Sequence, residues 1–371
     1  MIQLGGIGYM GFATMAALLV KRRITHRDRV ILKESINYPG VTGIVRFIKQ
    51  AIGLVLVVEV IAALFLAMRF ALMMPWDQAL WFGFFHAVSA FNNAGFSLFE
   101  NNMMGFATDL TINVVIGLLI VVGGIGYVVL LELYYSQQRQ LTRLSTHTKV
   151  VLLTSMILIL AGMLLILSLE GVNPKTLGPF AWYDKIMISW FMSVNFRTAG
   201  FNTIDISGLT DSNLFFSTIL MMVGGAPGGT AGGIKVTTLA IIIIGVWFTL
   251  RGQRYPHIFR RSISQETISK ANAILMVASF YVLVSTVLIT EVERLPFLRI
   301  LFEVVSAFGT VGLSTGNGGV LSYCSIFSDI SKLNIIILMI IGRVGVLIFT
   351  LSLLGRSIES RIHYAEGKVQ L

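Results

Sequence analysis

Apolar runs long enough to cross a lipid bilayer recur along this chain. Full spans are predicted at about 46–70, 110–135, 149–169, 213–249, 268–290 and 333–355, with a partial span at 2–20. A helix of about 20 apolar residues covers a hydrocarbon core of roughly 30 Å. Because only 12% of the 371 residues are charged, against about a quarter in soluble domains, the sequence predicts an all-α polytopic membrane protein.

Three shorter apolar stretches lie between pairs of these spans, at about 78–94, 183–199 and 297–311. Each is too short to span comfortably and ends in a polar turn with glycine, which favours re-entrant half-helices. The chain therefore reads as membrane helix, pore half-helix and membrane helix, repeated around a central pore.

Loop charge gives an independent orientation, because cytoplasmic loops carry excess Lys and Arg. Residues 21–49 hold eight basic and two acidic residues, 139–149 hold three basic residues, and 251–270 hold five basic residues and one acid. The loops on the other side carry Glu100, Asp109, Asp205, Asp211 and Asp329. The net charge of +10 is thus a topology signal and does not point to nucleic acid.

Two motifs repeat along the chain. A serine, an aromatic residue and a closing glycine recur at 89–96, 193–201 and 306–313, and a glycine pair or its Gly-Arg variant recurs at 123–126, 224–228 and 342–345. Residues 5–9 match 123–127 residue for residue. The chain is therefore expected to begin inside a first repeat, with one outer helix and one pore loop upstream of Met1. The predicted units are 1–45, the remnant of repeat 1, then 46–147, 148–265 and 266–371.

The glycine at the end of each half-helix suits an ion filter. Carbonyl oxygens can replace an ion's hydration shell only where the backbone leaves regular geometry, and glycine takes such conformations easily. The carboxyl end of each half-helix also favours a cation. The predicted filter residues are Asn93, Ala94, Gly95, Thr198, Ala199, Gly200, Thr310, Val311 and Gly312. Simple chain reversal is the alternative for any one turn.

Residues 224–235, named here the Gly-rich segment, contain six glycines and a proline, which cannot sustain a continuous helix. We interpret this segment as a gate inside the pore; close packing of small residues is the alternative. The predicted gate residues are Gly224, Gly225, Pro227, Gly228, Gly229, Gly232, Gly233, Lys235 and Arg343.

Several charged or polar residues need a specific reading. Arg343 stands where the other repeats have glycine, and a cation at that depth would raise a barrier to permeating ions. Lys235 could pair with a carboxylate, repel ions or snorkel to the cytoplasm. A hydrogen-bonding structural role is favoured for His86 and Glu303, whereas Arg197 could buttress the third filter turn. The five His and one Cys are scattered, so no enzyme site is predicted.

These turns, the Gly-rich segment and Arg343 together resemble the Trk/Ktr/HKT superfamily, most closely its bacterial Ktr-type membrane subunit. The resemblance implies four repeats around one pore, with a filter glycine in each, and potassium uptake across the plasma membrane. It also implies that K+, or Na+, binds filter carbonyls, with no covalent cofactor. The partners it implies are a second copy of the chain and a cytosolic nucleotide-binding regulatory ring of the RCK type, besides membrane lipid.

Two alternatives stay open. The pore loop most informative about potassium against sodium is the first one, so a sodium-selective or sodium-coupled transporter is possible on these residues. A non-conducting membrane subunit left by truncation is the other alternative.

Overall fold

The structure is a computed structural model, which describes residues 1–7, 43–138, 141, 143–253, 255–316 and 322–354. Residues 8–42, which hold most of the predicted first unit and its basic loop, lie outside the described residues. Arg139 and Arg254, two of the predicted cytoplasmic charges, also lie outside them.

Helices dominate the described residues. In chain order they are α1 (Ile2–Ile7), α2 (Ile44–Phe70), α3 (Trp76–Phe91), α4 (Leu110–Gly124), α5 (Tyr127–Gln137), α6 (Thr146–Glu170), α7 (Trp182–Asn195), α8 (Asp211–Met222), α9 (Val236–Leu250), α10 (Gln265–Glu293), α11 (Phe297–Gly309), α12 (Asp329–Val344) and α13 (Val346–Leu354). Short 3-10 turns occur at Met104–Phe106, Ile206–Gly208 and Tyr323–Ile326, and β1 (His257–Ile258) pairs with β2 (Arg261–Ser262) in an antiparallel hairpin.

Three helices are long and apolar enough to cross a membrane unaided. They are α2, α6 and α10, with 27, 25 and 29 residues, and they match the spans predicted at 46–70, 149–169 and 268–290. Large apolar side chains such as Leu56 and Phe65 of α2 stay exposed in the protein. Because lipid tails are as apolar as these side chains, such exposure suits a bilayer. The predicted all-α membrane fold is thereby confirmed.

Three predicted continuous spans are wrong as stated. The run at 110–135 breaks into α4 and α5, which are bent by 105°, and the run at 333–355 breaks into α12 and α13, bent by 109°. The breaks fall at Gly126, with φ +90°, and Gly345, with φ +101°. Helical residues need negative φ, so the chain must turn at these glycines. The apolar run at 213–249 is interrupted as well, since residues 223–235 join α8 to α9 outside helical geometry.

The short helices α3, α7 and α11 have 16, 14 and 13 residues. Each is held between longer helices: α3 packs against α2 and α4, α7 against α6 and α4, and α11 against α8, α10 and α12. Their carboxyl-terminal halves are largely buried. Their re-entrant placement, the repeat boundaries and the sidedness of the loops stay predictions.

Candidate ion pathway

The three predicted filter glycines meet at one place in the fold. A Cβ added to Gly95 would lie 2.5 Å from the carbonyl oxygen of Ala199, and one added to Gly200 would lie 2.5 Å from that of Val311. A Cβ on Gly312 would lie 3.9 Å from the Cα of Gly200. Turns that are far apart in the sequence are thus brought into mutual contact.

Each of these turns, residues 93–95, 198–200 and 310–312, has the same backbone pattern; we call them the glycine turns. The closing glycines have φ values of +71°, +82° and +85° in chain order, and the residues two positions earlier have +51°, +83° and +53°. The residue between them has negative φ in every turn. In an extended strand successive carbonyls point to opposite sides, whereas alternation of handedness turns them toward one side. A ring of carbonyls facing an ion requires such a departure from regular backbone.

Each glycine turn begins within three residues of the carboxyl end of a short helix. Ala94 N donates to Ser89 O at 2.9 Å and Val311 N to Ser306 O at 2.8 Å, which closes the last turns of α3 and α11. The unpaired carbonyls at a helix end carry a partial negative charge. Three such ends therefore converge where the glycine turns meet, an arrangement that favours a cation.

The Gly-rich segment contacts both neighbouring helix breaks through its backbone. Ala226 N donates to Gly124 O at 2.8 Å, and Gly233 N donates to Gly342 O at 3.2 Å. In the reverse direction, Tyr127 N donates to the carbonyl at position 228 at 3.1 Å. Irregular backbone at membrane depth must be satisfied by protein or by a water-filled cavity. Here other broken helices supply partners.

The Gly-rich segment also packs against the glycine turns. A Cβ on Gly232 would lie 2.3 Å from Thr310 Oγ1, and one on Gly224 would lie 3.2 Å from Thr198 Cγ2. A movement of this segment would therefore directly change its contacts with two of the three turns. The same closeness is what small-residue packing produces, so the gate assignment stays a prediction.

The cations near the Gly-rich segment bind carbonyl groups. Arg343 donates to Thr230 O of the segment and to Gly5 O of α1. Lys235 donates to Ala231 O at 2.7 Å, so the structure gives it a carbonyl partner where a carboxylate was one of the open options. These contacts connect α12 to the segment through the Arg343 side chain.

The buried Arg197 side chain connects three elements. Its guanidinium donates to Ser155 O of α6 at 3.3 Å and to Gly224 O at 3.2 Å. Arg197 itself directly precedes the second glycine turn. It therefore ties that turn to α6 and to the Gly-rich segment.

The side chains of His86 and Glu303 each accept a hydrogen bond from a backbone N–H that follows a glycine turn. Leu98 N donates to His86 Nε2 at 3.3 Å, and Thr315 N donates to Glu303 Oε1 at 2.8 Å. Both side chains are buried. The hydrogen-bonding role favoured from the sequence is what the structure shows for these two residues.

A buried polar group on α2 was not among the residues singled out from the sequence. Glu59, only 3% exposed, accepts hydrogen bonds from Gln3 Nε2 at 3.0 Å and from Asn92 Nδ2 at 3.0 Å. The sequence did contain a signal for it, because a carboxylate inside an apolar run costs free energy to bury and marks a functional or structural site. Glu59 thereby links α2 and α1 to the residue before the first described glycine turn.

Comparison with known proteins gives a consistent result. Residues 1–359 match the TrkH family, described as cation transport protein. The Ktr system potassium uptake protein B of Bacillus subtilis strain 168 is 38% identical over 369 residues, which cover 100% of this chain and 81% of that protein. The potassium/sodium uptake protein NtpJ of Enterococcus hirae is 32% identical over 377 residues, covering 100% of this chain and 82% of that protein.

A solved structure is similar in fold. The crystal structure of the potassium transporter TrkH from Vibrio parahaemolyticus superposes with a TM-score of 0.69, covering 93% of this chain and 70% of that chain. The two sequences are 18% identical, so this likeness describes the arrangement of helices and nothing finer.

Proposed function

Because this chain belongs to the TrkH family of cation transport proteins, we propose that it carries potassium ions into the cell across the plasma membrane. The observation that carries the proposal is the meeting of the three glycine turns with one alternating backbone pattern. The names of the Bacillus subtilis and Vibrio alginolyticus relatives, at 38% and 32% identity, both state potassium uptake.

The proposed filter works through main-chain oxygens. A potassium ion loses water only where other oxygens replace its hydration shell, and the carbonyls of the three glycine turns would be those oxygens. The convergent helix ends stabilise the partly dehydrated cation electrostatically. A negative-inside membrane potential supplies about 2.3 kcal/mol per charge per 100 mV, which drives uptake.

The proposed gate is the Gly-rich segment together with Arg343. The support for this gate is the contact of the segment with two of the glycine turns that are proposed to form the ion path. The contact of Arg343 with Thr230 O favours one position of the segment, and its positive charge opposes cations passing nearby. Movement of the segment away from this position would open the path.

The chain is further proposed to act as a homodimer on a cytosolic nucleotide-binding regulatory ring. The support is the sequence resemblance to Ktr-type subunits and the names of two relatives, protein B and protein D of a Ktr system in Bacillus subtilis. Chemical crosslinking in native membranes, followed by mass spectrometry of the linked peptides, tests both contacts.

Sodium transport, or coupling of potassium to sodium, is the second candidate. It is favoured by one observation, the name potassium/sodium uptake protein of the Enterococcus hirae relative. The two candidates differ in whether external Na+ carries current, stimulates potassium uptake or does neither.

Growth of cells that lack their own potassium uptake systems tests the proposal. Expression of the full-length protein should restore growth at low external K+ and produce measurable K+ uptake with saturating kinetics. Stimulation by Na+ would select the coupled version. Protein that reaches the membrane at normal abundance yet restores neither growth nor uptake would overturn the proposal.

A further inference from the structure

Two glycine turns are braced in the same register by side chains of the preceding short helix. His86 lies nine residues before the closing glycine of its turn, and Glu303 lies nine residues before that of its own. Each accepts a backbone N–H from the residue three positions after that glycine: Leu98 N at 3.3 Å and Thr315 N at 2.8 Å. The same contact in two units, with different chemical groups, indicates a requirement for an acceptor at this position.

A second contact accompanies the first in both units. Ser89 Oγ donates to Phe96 O at 2.8 Å, and Ser306 Oγ donates to Leu313 O at 2.6 Å. Each accepting carbonyl belongs to the residue directly after the closing glycine. The backbone that leaves these turns is therefore fixed at two points, one donor and one acceptor.

The remaining glycine turn uses an amide for the same purpose. Asn195 Oδ1 accepts from Phe201 N at 3.0 Å, and its Nδ2 donates to Phe191 O at 2.8 Å. Phe191 stands nine residues before Gly200, where the other units have His86 and Glu303. Its apolar ring cannot accept a hydrogen bond, and the backbone after this turn is bonded by Asn195 instead. All three acceptors, an imidazole, an amide and a carboxylate, are buried.

The hydrogen-bond partners of His86 determine the protonation state of its imidazole ring. The backbone N–H of Leu98 can only donate, so Nε2 of His86 must accept. Phe82 O can only accept, so Nδ1 of His86, at 2.7 Å, carries the proton. His86 is therefore a neutral imidazole in this arrangement, with a single defined tautomer.

The carboxyl group of Glu303 differs from the other two acceptors because each of its hydrogen-bond partners donates to it, which suits an ionised carboxylate. Glu303 Oε1 accepts from Ser314 Oγ at 2.8 Å as well as from Thr315, and Cys324 Sγ lies 3.5 Å from Oε2. The positive group of Arg299, one turn earlier on α11, lies over the ring of Tyr323, with 5.7 Å between its Cζ and the ring centre. Among the described residues Glu303 forms no ion pair, so hydrogen bonds alone compensate its burial.

We propose that His86, Asn195 and Glu303 are positioning residues that hold the carbonyls of the glycine turns, and that Glu303 also supplies fixed negative charge that draws cations toward them. This inference rests on the proposed potassium uptake. Loss of an acceptor relaxes the carbonyl ring and lowers discrimination between K+ and Na+, whereas loss of charge alone weakens attraction of the cation and raises KM.

The test separates the acceptor from the charge at Glu303. E303Q keeps an acceptor oxygen and removes the charge, whereas E303L removes both; H86Q and H86L make the corresponding comparison for the neutral brace. E170Q is the matched control, because Glu170 is also a buried carboxylate, bonded by Thr176 and Thr210 at the end of α6. K+ and Na+ uptake are measured for every variant at equal abundance in the membrane, with thermal stability in detergent measured alongside.

The leucine variants should lower the ratio of K+ to Na+ uptake by about tenfold, which corresponds to about 1.4 kcal/mol. E303Q should keep that ratio and raise the KM for K+ by several-fold, and H86Q should resemble the unmodified protein. E170Q should leave both the ratio and KM unchanged whatever it does to thermal stability. A leucine variant that is folded and discriminates as well as the unmodified protein would overturn the inference.

A variant on the donor side covers the case in which E303L fails to reach the membrane. S314A removes one donor to Glu303 without changing charge, and it should lower the K+ to Na+ ratio by several-fold. An unchanged ratio in S314A together with an unchanged KM in E303Q would contradict the inference. Absence of any cation uptake by the unmodified protein would instead contradict the proposed function.

Discussion

Replacing Gly200 by alanine should abolish most K+ uptake, because the added methyl group has no space. Gly200 has φ +82°, a conformation that costs an L-residue about 1–2 kcal/mol. The new Cβ would lie 2.5 Å from Val311 O and 3.1 Å from the Cα of Gly95, against about 3.4 Å for ordinary contact. Both neighbours are main-chain atoms of the other glycine turns, so relief requires those turns to move.

The size of the expected loss follows from that displacement. Val311 O would have to move by about 0.9 Å to reach ordinary contact, and a misplacement of about 1 Å of reacting groups in an enzyme can cost about 100-fold in rate. We therefore expect uptake to fall by about 100-fold, equivalent to about 2.7 kcal/mol of activation free energy.

Gly43→Ala is the matched control. Gly43 has nearly the same φ, +80°, but among the described residues a Cβ there would meet no atom within 4 Å. This variant therefore carries the conformational penalty without the clash, and its uptake should stay within about twofold of the unmodified protein. Uptake of a rubidium tracer, normalised to protein in the membrane, measures both. G200A uptake within about threefold of normal would refute the reasoning.

Three further changes have defined outcomes. R343Q should raise the maximal uptake rate several-fold, because it removes both a positive charge and a bond to the Gly-rich segment; R251Q, which alters a cation stacked on an exposed ring, should not, and an equal rise in both variants would contradict this. R69Q should lower stability by about 0.5–1 kcal/mol, since Arg69 pairs with Asp109 at 2.6 Å in a partly exposed site; an unchanged melting temperature in detergent would count against it. Burial raises the pKa of the Cys324 thiol to about 12, so the reactive thiolate is scarce at neutral pH and maleimide should label the folded protein far more slowly than the denatured one; equal rates would refute this.

The long helices could be predicted because one property decides them. The span predicted at 46–70 is observed as the helix Ile44–Phe70, because the length of a mostly apolar run decides whether a helix can cross the membrane. The short helices were predicted from the same property, because each of their apolar runs is too short to cross the membrane. No knowledge of tertiary contacts was needed for either.

The bends at Gly126 and Gly345 could not be predicted from composition. Glycine is common in membrane helices, where it lets neighbouring helices approach closely, so one glycine does not distinguish packing from a break. The distinction depends on φ, which the surrounding backbone imposes. At Gly126 a Cβ would lie 2.7 Å from the carbonyl oxygen of Pro227, so the break is coupled to the Gly-rich segment.

The glycine turns were predictable in part. Three closing glycines in equivalent places indicated the turns and included Thr198 among the filter residues. Nothing in the sequence indicated that Thr198 has φ +83°, because threonine rarely takes positive φ. The braces required the path of the backbone after each turn. Only that path brings Leu98 back to His86 and Thr315 back to Glu303, and residues of such different chemistry share no sequence signature.

Current through the purified protein tests the central claim most directly. The full-length protein is reconstituted into liposomes, and the reversal potential is measured while internal and external K+ and Na+ are varied separately. Potassium transport through the glycine turns predicts a reversal potential that follows the K+ gradient, and a current that is lost in G200A but kept in G43A. A reversal potential that follows Na+ alone, or a current unaffected by G200A, would contradict it.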